Sequence, residues 1–143
     1  MQKRRITQIA KLLWASPCSL VGLIFGAIVL LCGGSVGRSS GTLEITFRTS
    51  QAPGRTLARW LPFRAITLGH VIIAITRQEL DLLRAHERVH VHQYERWGIF
   101  FFVAYAASSA WQLISGRNAY WDNYFEVEAR LRSTQMQRNE HDV

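Results

Sequence analysis

Thr76-Arg77-Gln78-Glu79-Leu80-Asp81-Leu82-Leu83-Arg84-Ala85-His86-Glu87-Arg88-Val89-His90 is the stretch from which the rest of the chain can be read. Thr76 and Glu79 match a capping box, in which the threonine accepts from the third backbone N–H and the glutamate reaches back to the cap. A long helix should therefore begin at Thr76. At about 100° per residue, His90 falls about 40° from His86, so both imidazoles emerge on one face a turn apart. Leu82, Leu83, Gln93 and Trp97 share that face, while Asp81, Arg84, Arg88 and Glu95 lie opposite. The histidines face inward, at a spacing that can chelate one divalent metal.

Glu87 lies about 100° from His86, beside the ligand face and not on it. A carboxylate there can reach a metal-bound water without ligating the metal. Zinc lowers the pKa of such a water to about 7, and the carboxylate can take its proton during attack on an amide carbonyl. The pattern His86-Glu87-Arg88-Val89-His90 is the HExxH arrangement for that chemistry. A metzincin arrangement does not fit, because Gln93 and Arg96 occupy the positions of its glycine and third histidine.

Upstream, Thr42 to Arg48 alternates apolar and polar residues with period two, as a half-exposed strand does. Ala65 to Ile75 is more continuously apolar and β-branched and reads as a more buried strand, interrupted by Gly69 and His70. Gly33 to Gly41 reads as a Gly/Ser-rich linker. Downstream, Asn123 to Arg132 has helical character, and Ser133 to Val143 is polar. The fold class is α+β, a small sheet supported by helices.

The first 37 residues differ in kind. Of the net charge of +7, Lys3, Arg4, Arg5 and Lys11 supply +4 with no acid among them, and no charge follows from Leu12 to Gly37. Ser16-Pro17 suits a helix start and Gly33-Gly34 its end. Such a segment reads as a transmembrane anchor with a cytoplasmic N-terminus, leaving the rest outside the cytoplasm. A cleaved signal peptide is the rival reading. Half the excess charge sits beside an apolar run and not on the folded part, which argues against nucleic acid as a partner and for membrane lipid. Cys18 and Cys32 would be about 20 Å apart along one helix and cannot pair within it.

Residues 76–90 resemble the capped active-site helix of gluzincin metallopeptidases, in particular the membrane groups that include CAAX prenyl proteases and the heat-shock membrane proteases. The resemblance implies a minimal zincin-like fold, a Zn2+ cofactor and hydrolysis of peptide or protein substrates at a bacterial cytoplasmic membrane. Those families take a third ligand from a later helix, at a Glu followed three positions on by Ala and then usually Asp. Glu126-Val127-Glu128-Ala129-Arg130 fits the Glu and the Ala, which nominates Glu126, with Glu128 as the alternative. Arg130 stands where the family has the Asp that orients a ligating histidine, a role open to Asp122 or Glu128. His70, Tyr120 and Tyr124 are candidates for substrate or oxyanion contacts. Residues from His86 to Gly98 and from Ala119 to Ala129 also look like small bacterial membrane proteins of unassigned function.

From Trp97 to Gly116 lie twenty uncharged residues, enough for a helix of about 30 Å. A single membrane crossing there would put Glu126 on the far side from His86 and His90, whereas ligands must lie about 2 Å from one metal. The segment is therefore expected to turn back near Ala106 to Ala110 as a helical hairpin. The expected organisation is a basic N-terminus and anchor over residues 1–37, a zincin-like domain over 38–132 and a disordered tail over 133–143. Two rivals stand beside the metallopeptidase: a non-catalytic protein that keeps the metal or the fold, and a two-span membrane protein without metal.

Overall fold

The computed structural model describes residues 2–47 and 63–141. Two helices, α1 (Gln2–Trp14) and α2 (Ser16–Leu31), lead into a four-stranded mixed sheet formed by β1 (Ser35–Ser39), β2 (Thr42–Thr46), β3 (Ala65–Leu68) and β4 (Val71–Ala74). Three helices follow: α3 (Arg77–Trp97), α4 (Phe100–Ile114) and α5 (Tyr124–His141). The fold is α+β, as its sequence pattern requires.

The strands lie in the order β1-β2-β4-β3, with β2 and β4 parallel and the outer pairings antiparallel. Every residue of β4 is buried because both faces of the sheet are covered. Val71 and Ile73 point to one face and pack with Ile45, Phe47 and Val29 beneath α2. Ile72 and Ala74 point to the other and pack with Leu80 and Val91 of α3. The period-two alternation within one apolar strand thus builds two cores, in the layers α2, sheet and α3.

Here α2 departs from the expected anchor. It has 16 residues, about 24 Å, and among the described residues no single helix is long and apolar enough to cross a membrane. Its Cys18, Gly22, Gly26 and Val29 are buried against the rest of the protein. A side chain at Gly22 would place its Cβ 2.8 Å from the Leu68 carbonyl oxygen and 2.8 Å from Val71 Cβ. Gly22→Ala should therefore destabilise the protein by about 1–3 kcal/mol, the usual cost of overpacking a core. Chemical denaturation checks this, and an unchanged midpoint would show that α2 does not seat on the sheet.

The expected linker also departs from its reading. Ser35–Ser39 pairs antiparallel with β2, and Ser35 Oγ lies 2.7 Å from Thr46 Oγ1. As an edge strand β1 is largely exposed, so it lacks the apolar alternation that reveals β2. A boundary at residue 37 falls inside it. Ala65 to Ile75, expected as one strand, is a hairpin turning at Gly69-His70. Gln51 to Gly54, whose Pro53-Gly54 sequence reads as a turn, lies outside the described residues.

The capping box forms by half. Thr76 Oγ1 accepts from Glu79 N at 3.0 Å, while Glu79 Oε1 accepts from Arg64 Nη2 at 2.7 Å. α3 ends at Gly98, whose positive φ of 56° bends the chain by 114° into α4. Only hydrogen fits there, since a Cβ would stand 2.6 Å from the Trp14 ring.

The hairpin expected near Ala106 to Ala110 is absent: α4 is one unbroken helix. Nothing in Ala106 to Ala110 breaks a helix, and the reversal comes after Gly116 instead. Asn118 Oδ1 accepts from the backbone N–H groups of Tyr120 and Trp121, both at 2.9 Å. Asn123, fully buried, donates to Tyr105 O at 3.1 Å and Ser109 Oγ at 2.7 Å, and accepts from Phe125 N at 2.9 Å. These two asparagines return the chain along α4, and Phe125 packs with Tyr94, Phe101, Cys18 and Ala15. α5 then continues through Ser133 to His141, into the stretch expected to fray.

Candidate metal centre

α3 and α5 bring His86, His90 and Glu126 together, and one ligand atom from each lies within 4.8 Å of the others. The two Nε2 atoms are 3.1 Å apart. The Glu126 carboxylate straddles them, with Oε2 at 3.3 Å from His86 Nε2 and Oε1 at 3.4 Å from His90 Nε2. Atoms bound about 2.0–2.1 Å from one ion at tetrahedral angles are about 3.3 Å apart. The two Nε2 atoms fit that spacing, and each has a Glu126 oxygen at a similar distance, one oxygen for each imidazole. Glu126 is 4 % exposed, and its Oε2 has no hydrogen-bond partner despite its nearness to His86. The three residues form a group whose geometry can hold a metal ion.

A proton can serve there as well. Burial alone lowers the pKa of His90, but the Glu126 hydrogen bond, with the charges of Glu87 and Glu126, leaves it raised above its ordinary value. Burial pushes the Glu126 carboxyl upward, yet the neighbouring imidazoles and the Tyr105 hydroxyl hold it well below the usual carboxylate range. Tyr105 donates to Glu126 Oε1 at 2.8 Å, and burial followed by the Glu126 charge keeps its phenol protonated. Tyr120 is pushed up to about 12 by burial and then by Glu126.

Glu87 is buried beside the cluster and accepts from Thr67 Oγ1 at 2.7 Å through Oε2. Thr67 belongs to β3, an edge strand of the sheet. Strand β3, the three cluster residues, Glu87 and Tyr120 line a cavity of about 540 Å3, whose far wall is Tyr94, Phe101, Phe102 and Tyr105.

Other candidates fall elsewhere. His70 sits at the β3–β4 turn, where its N–H donates to Ser19 Oγ at 3.0 Å and its Nε2 lies 3.4 Å from Glu95. Tyr124 is 60 % exposed and packs edge-on against Phe125, away from the cavity. Glu128 accepts from Gln93 Nε2 at 2.8 Å and pairs with Arg132 at 2.8 Å, so Glu126 is the residue in the cluster. Asp122 accepts from Asn118 N at 2.8 Å within the exposed loop. Arg130 donates to the Trp121 carbonyl and lies over the Trp121 ring at 5.1 Å, so it fastens the loop.

Three contributors carry no sequence motif. Thr67 and Tyr105 reach the site only through tertiary packing. Gln93, whose Oε1 lies 2.8 Å from His90 Nδ1, is detectable only as a neighbour three residues along the same helix. Comparison with protein-family models, curated proteins and solved structures finds no match to this chain.

Proposed function

We propose that the protein is a membrane-associated zinc metallopeptidase of zincin-like type, with His86, His90 and Glu126 as ligands and Glu87 as general base. The observation that carries the reading is the convergence of the three ligands beside a buried carboxylate in a cavity edged by β3. Two imidazoles and a carboxylate are a ligand set found in catalytic zinc sites, and zinc bound there acidifies water and polarises a carbonyl.

The protein's own groups supply the rest. Thr67 holds one oxygen of Glu87 and so fixes the carboxylate that takes a proton from the attacking water and passes it to the leaving amine. Tyr120, kept protonated, is an O–H donor for oxygen charge developing in the cavity. An edge strand such as β3 offers backbone groups to which an extended peptide can add as a further strand. A rival, non-catalytic reading draws on Arg130, which does not orient the histidines. The test is peptide cleavage by the zinc-loaded full chain, abolished by a chelator and restored by zinc. A chain that keeps stoichiometric zinc yet cleaves nothing supports the rival.

Membrane association is proposed as attachment to a lipid surface. The side of α2 away from the sheet exposes Leu20, Leu23, Ile24 and Leu31. Trp14 of α1 packs 6.2 Å from the Phe100 ring and extends that apolar surface to α4, where Phe100 and Val103 are exposed. Apolar area of this extent beside a basic N-terminal helix fits an anionic bilayer surface. The full chain should float with vesicles containing phosphatidylglycerol, and substituting Lys3, Arg4 and Arg5 by Gln should weaken binding several-fold. Equal recovery without vesicles would overturn the membrane proposal.

A further inference from the structure

The Gln93 side chain is 4 % exposed, and its hydrogen bonds determine which way round its amide lies. Its Nε2 faces the Phe125 carbonyl oxygen at 3.0 Å and Glu128 Oε2 at 2.8 Å. A backbone carbonyl accepts and cannot donate, so it demands the amide NH2 group, which also meets the Glu128 oxygen. The amide oxygen is thereby left facing His90 Nδ1 at 2.8 Å. Since that oxygen only accepts, Nδ1 must carry hydrogen. In the neutral imidazole the lone pair then resides on Nε2, the atom that faces His86 and Glu126.

We propose that Gln93 is the positioning residue of the centre, selecting the Nδ1–H tautomer of His90 and holding its ring so that Nε2 is presented to the metal. This rests on the metal-binding reading above. The helical offset of three residues puts Gln93 over the same face as His90, and α5 anchors the amide from the opposite side through Phe125 and Glu128. Glu128, which is not in the cluster, thereby bears on the ligand geometry through one intervening amide. Arg132 in turn donates to the other Glu128 oxygen at 2.8 Å, one turn further along α5. An amide is the side chain that satisfies all three neighbours: it accepts from the imidazole and donates twice to α5. Hydrogen bonding of this kind, outside the ligand set, typically changes metal affinity by about 10–100-fold.

The experiment uses the full chain, labelled with 15N-histidine, as wild type, Gln93→Met and Gln93→Glu. Methionine keeps the shape and removes the acceptor, while glutamate keeps an oxygen for Nδ1. Long-range 1H–15N spectra of the metal-free protein report the tautomer, and competition with a chelator reports zinc affinity. Wild type should show His90 as Nδ1–H. Gln93→Met should lose that single tautomer and bind zinc about 10–100-fold more weakly. Gln93→Glu should keep the tautomer and bind zinc more tightly than Gln93→Met. A Gln93→Met protein with wild-type tautomer and affinity would overturn the proposal, as would an Nε2–H wild type. If Gln93→Met fails to fold, the wild-type spectrum decides: Nδ1–H on His90 supports the proposal and Nε2–H contradicts it. A wild type that shows Nδ1–H but binds no zinc would defeat the metal reading while leaving the tautomer assignment intact.

Discussion

Glu87→Gln should lower peptide hydrolysis by about 10²–10⁴-fold, the usual contribution of a general base, while zinc content stays at the wild-type level. The two effects separate because Glu87 lies beside the cluster and is not one of its three residues. Glutamine is isosteric, and its carbonyl oxygen can still accept from Thr67, which now meets Glu87 Oε2 at 2.7 Å. What it lacks is the basicity to take a proton from water. The measurement is kcat/KM for one cleaved peptide together with metal content on the same preparation. Wild-type activity in the variant would remove Glu87 as the base, and loss of zinc would make it part of the ligand set.

Glu126→Gln should abolish tight zinc binding, and activity with it. Groups that only orient a ligand are worth about 10–100-fold in affinity, so removing the charged ligand itself should cost more than 100-fold. The substitution also takes away the carboxylate that straddles His86 and His90 at 3.3 and 3.4 Å. Glu128→Gln is the informative comparison. It sits two residues along the same helix but touches Gln93 and Arg132 instead of the histidines, so its effect should stay within the 10–100-fold range. Chelator competition on both variants, with circular dichroism to establish that each is folded, gives the contrast. Equal effects at both positions would show that Glu126 is not the ligand.

What could be read from residue order follows from where each residue's environment is set. α3 was legible because Thr76 announces its start and its charged and apolar faces separate at helical spacing. His86, Glu87 and His90 follow from that helix alone, since their relation is internal to it. Glu126 is legible only through a resemblance, and the demand that it reach the same point as the histidines is what implies a reversal of the chain before it. The route of return was not legible, because α4 carries no signal distinguishing one straight helix from a hairpin. It depends on Gly98, on the local turn at Asn118 and on Asn123, whose hydrogen bonds to Tyr105 and Ser109 are tertiary.

α2 shows the same limit in another form. A helix that covers a sheet and one that enters a bilayer both need apolar residues throughout, and only the placement of Gly22 and Gly26 against Val71 and Ile45 marks it as a sheet cover. β1 was hidden for the opposite reason, since an exposed edge strand needs no apolar pattern. His70 precedes the motif helix in sequence, which makes it a candidate, yet the β3–β4 turn carries it toward Ser19 and Glu95. Gln93 shows in the sequence only as part of the inward face of α3, because what it does depends on α5.

The function proposed for the protein requires that His86, His90 and Glu126 hold one ion. Zinc should be measured by elemental analysis on the purified full chain after loading and extensive dialysis, beside His90→Ala treated identically. One zinc per wild-type chain and none in the variant is the result expected. Wild type that retains no stoichiometric metal, or a variant that retains as much, would contradict it.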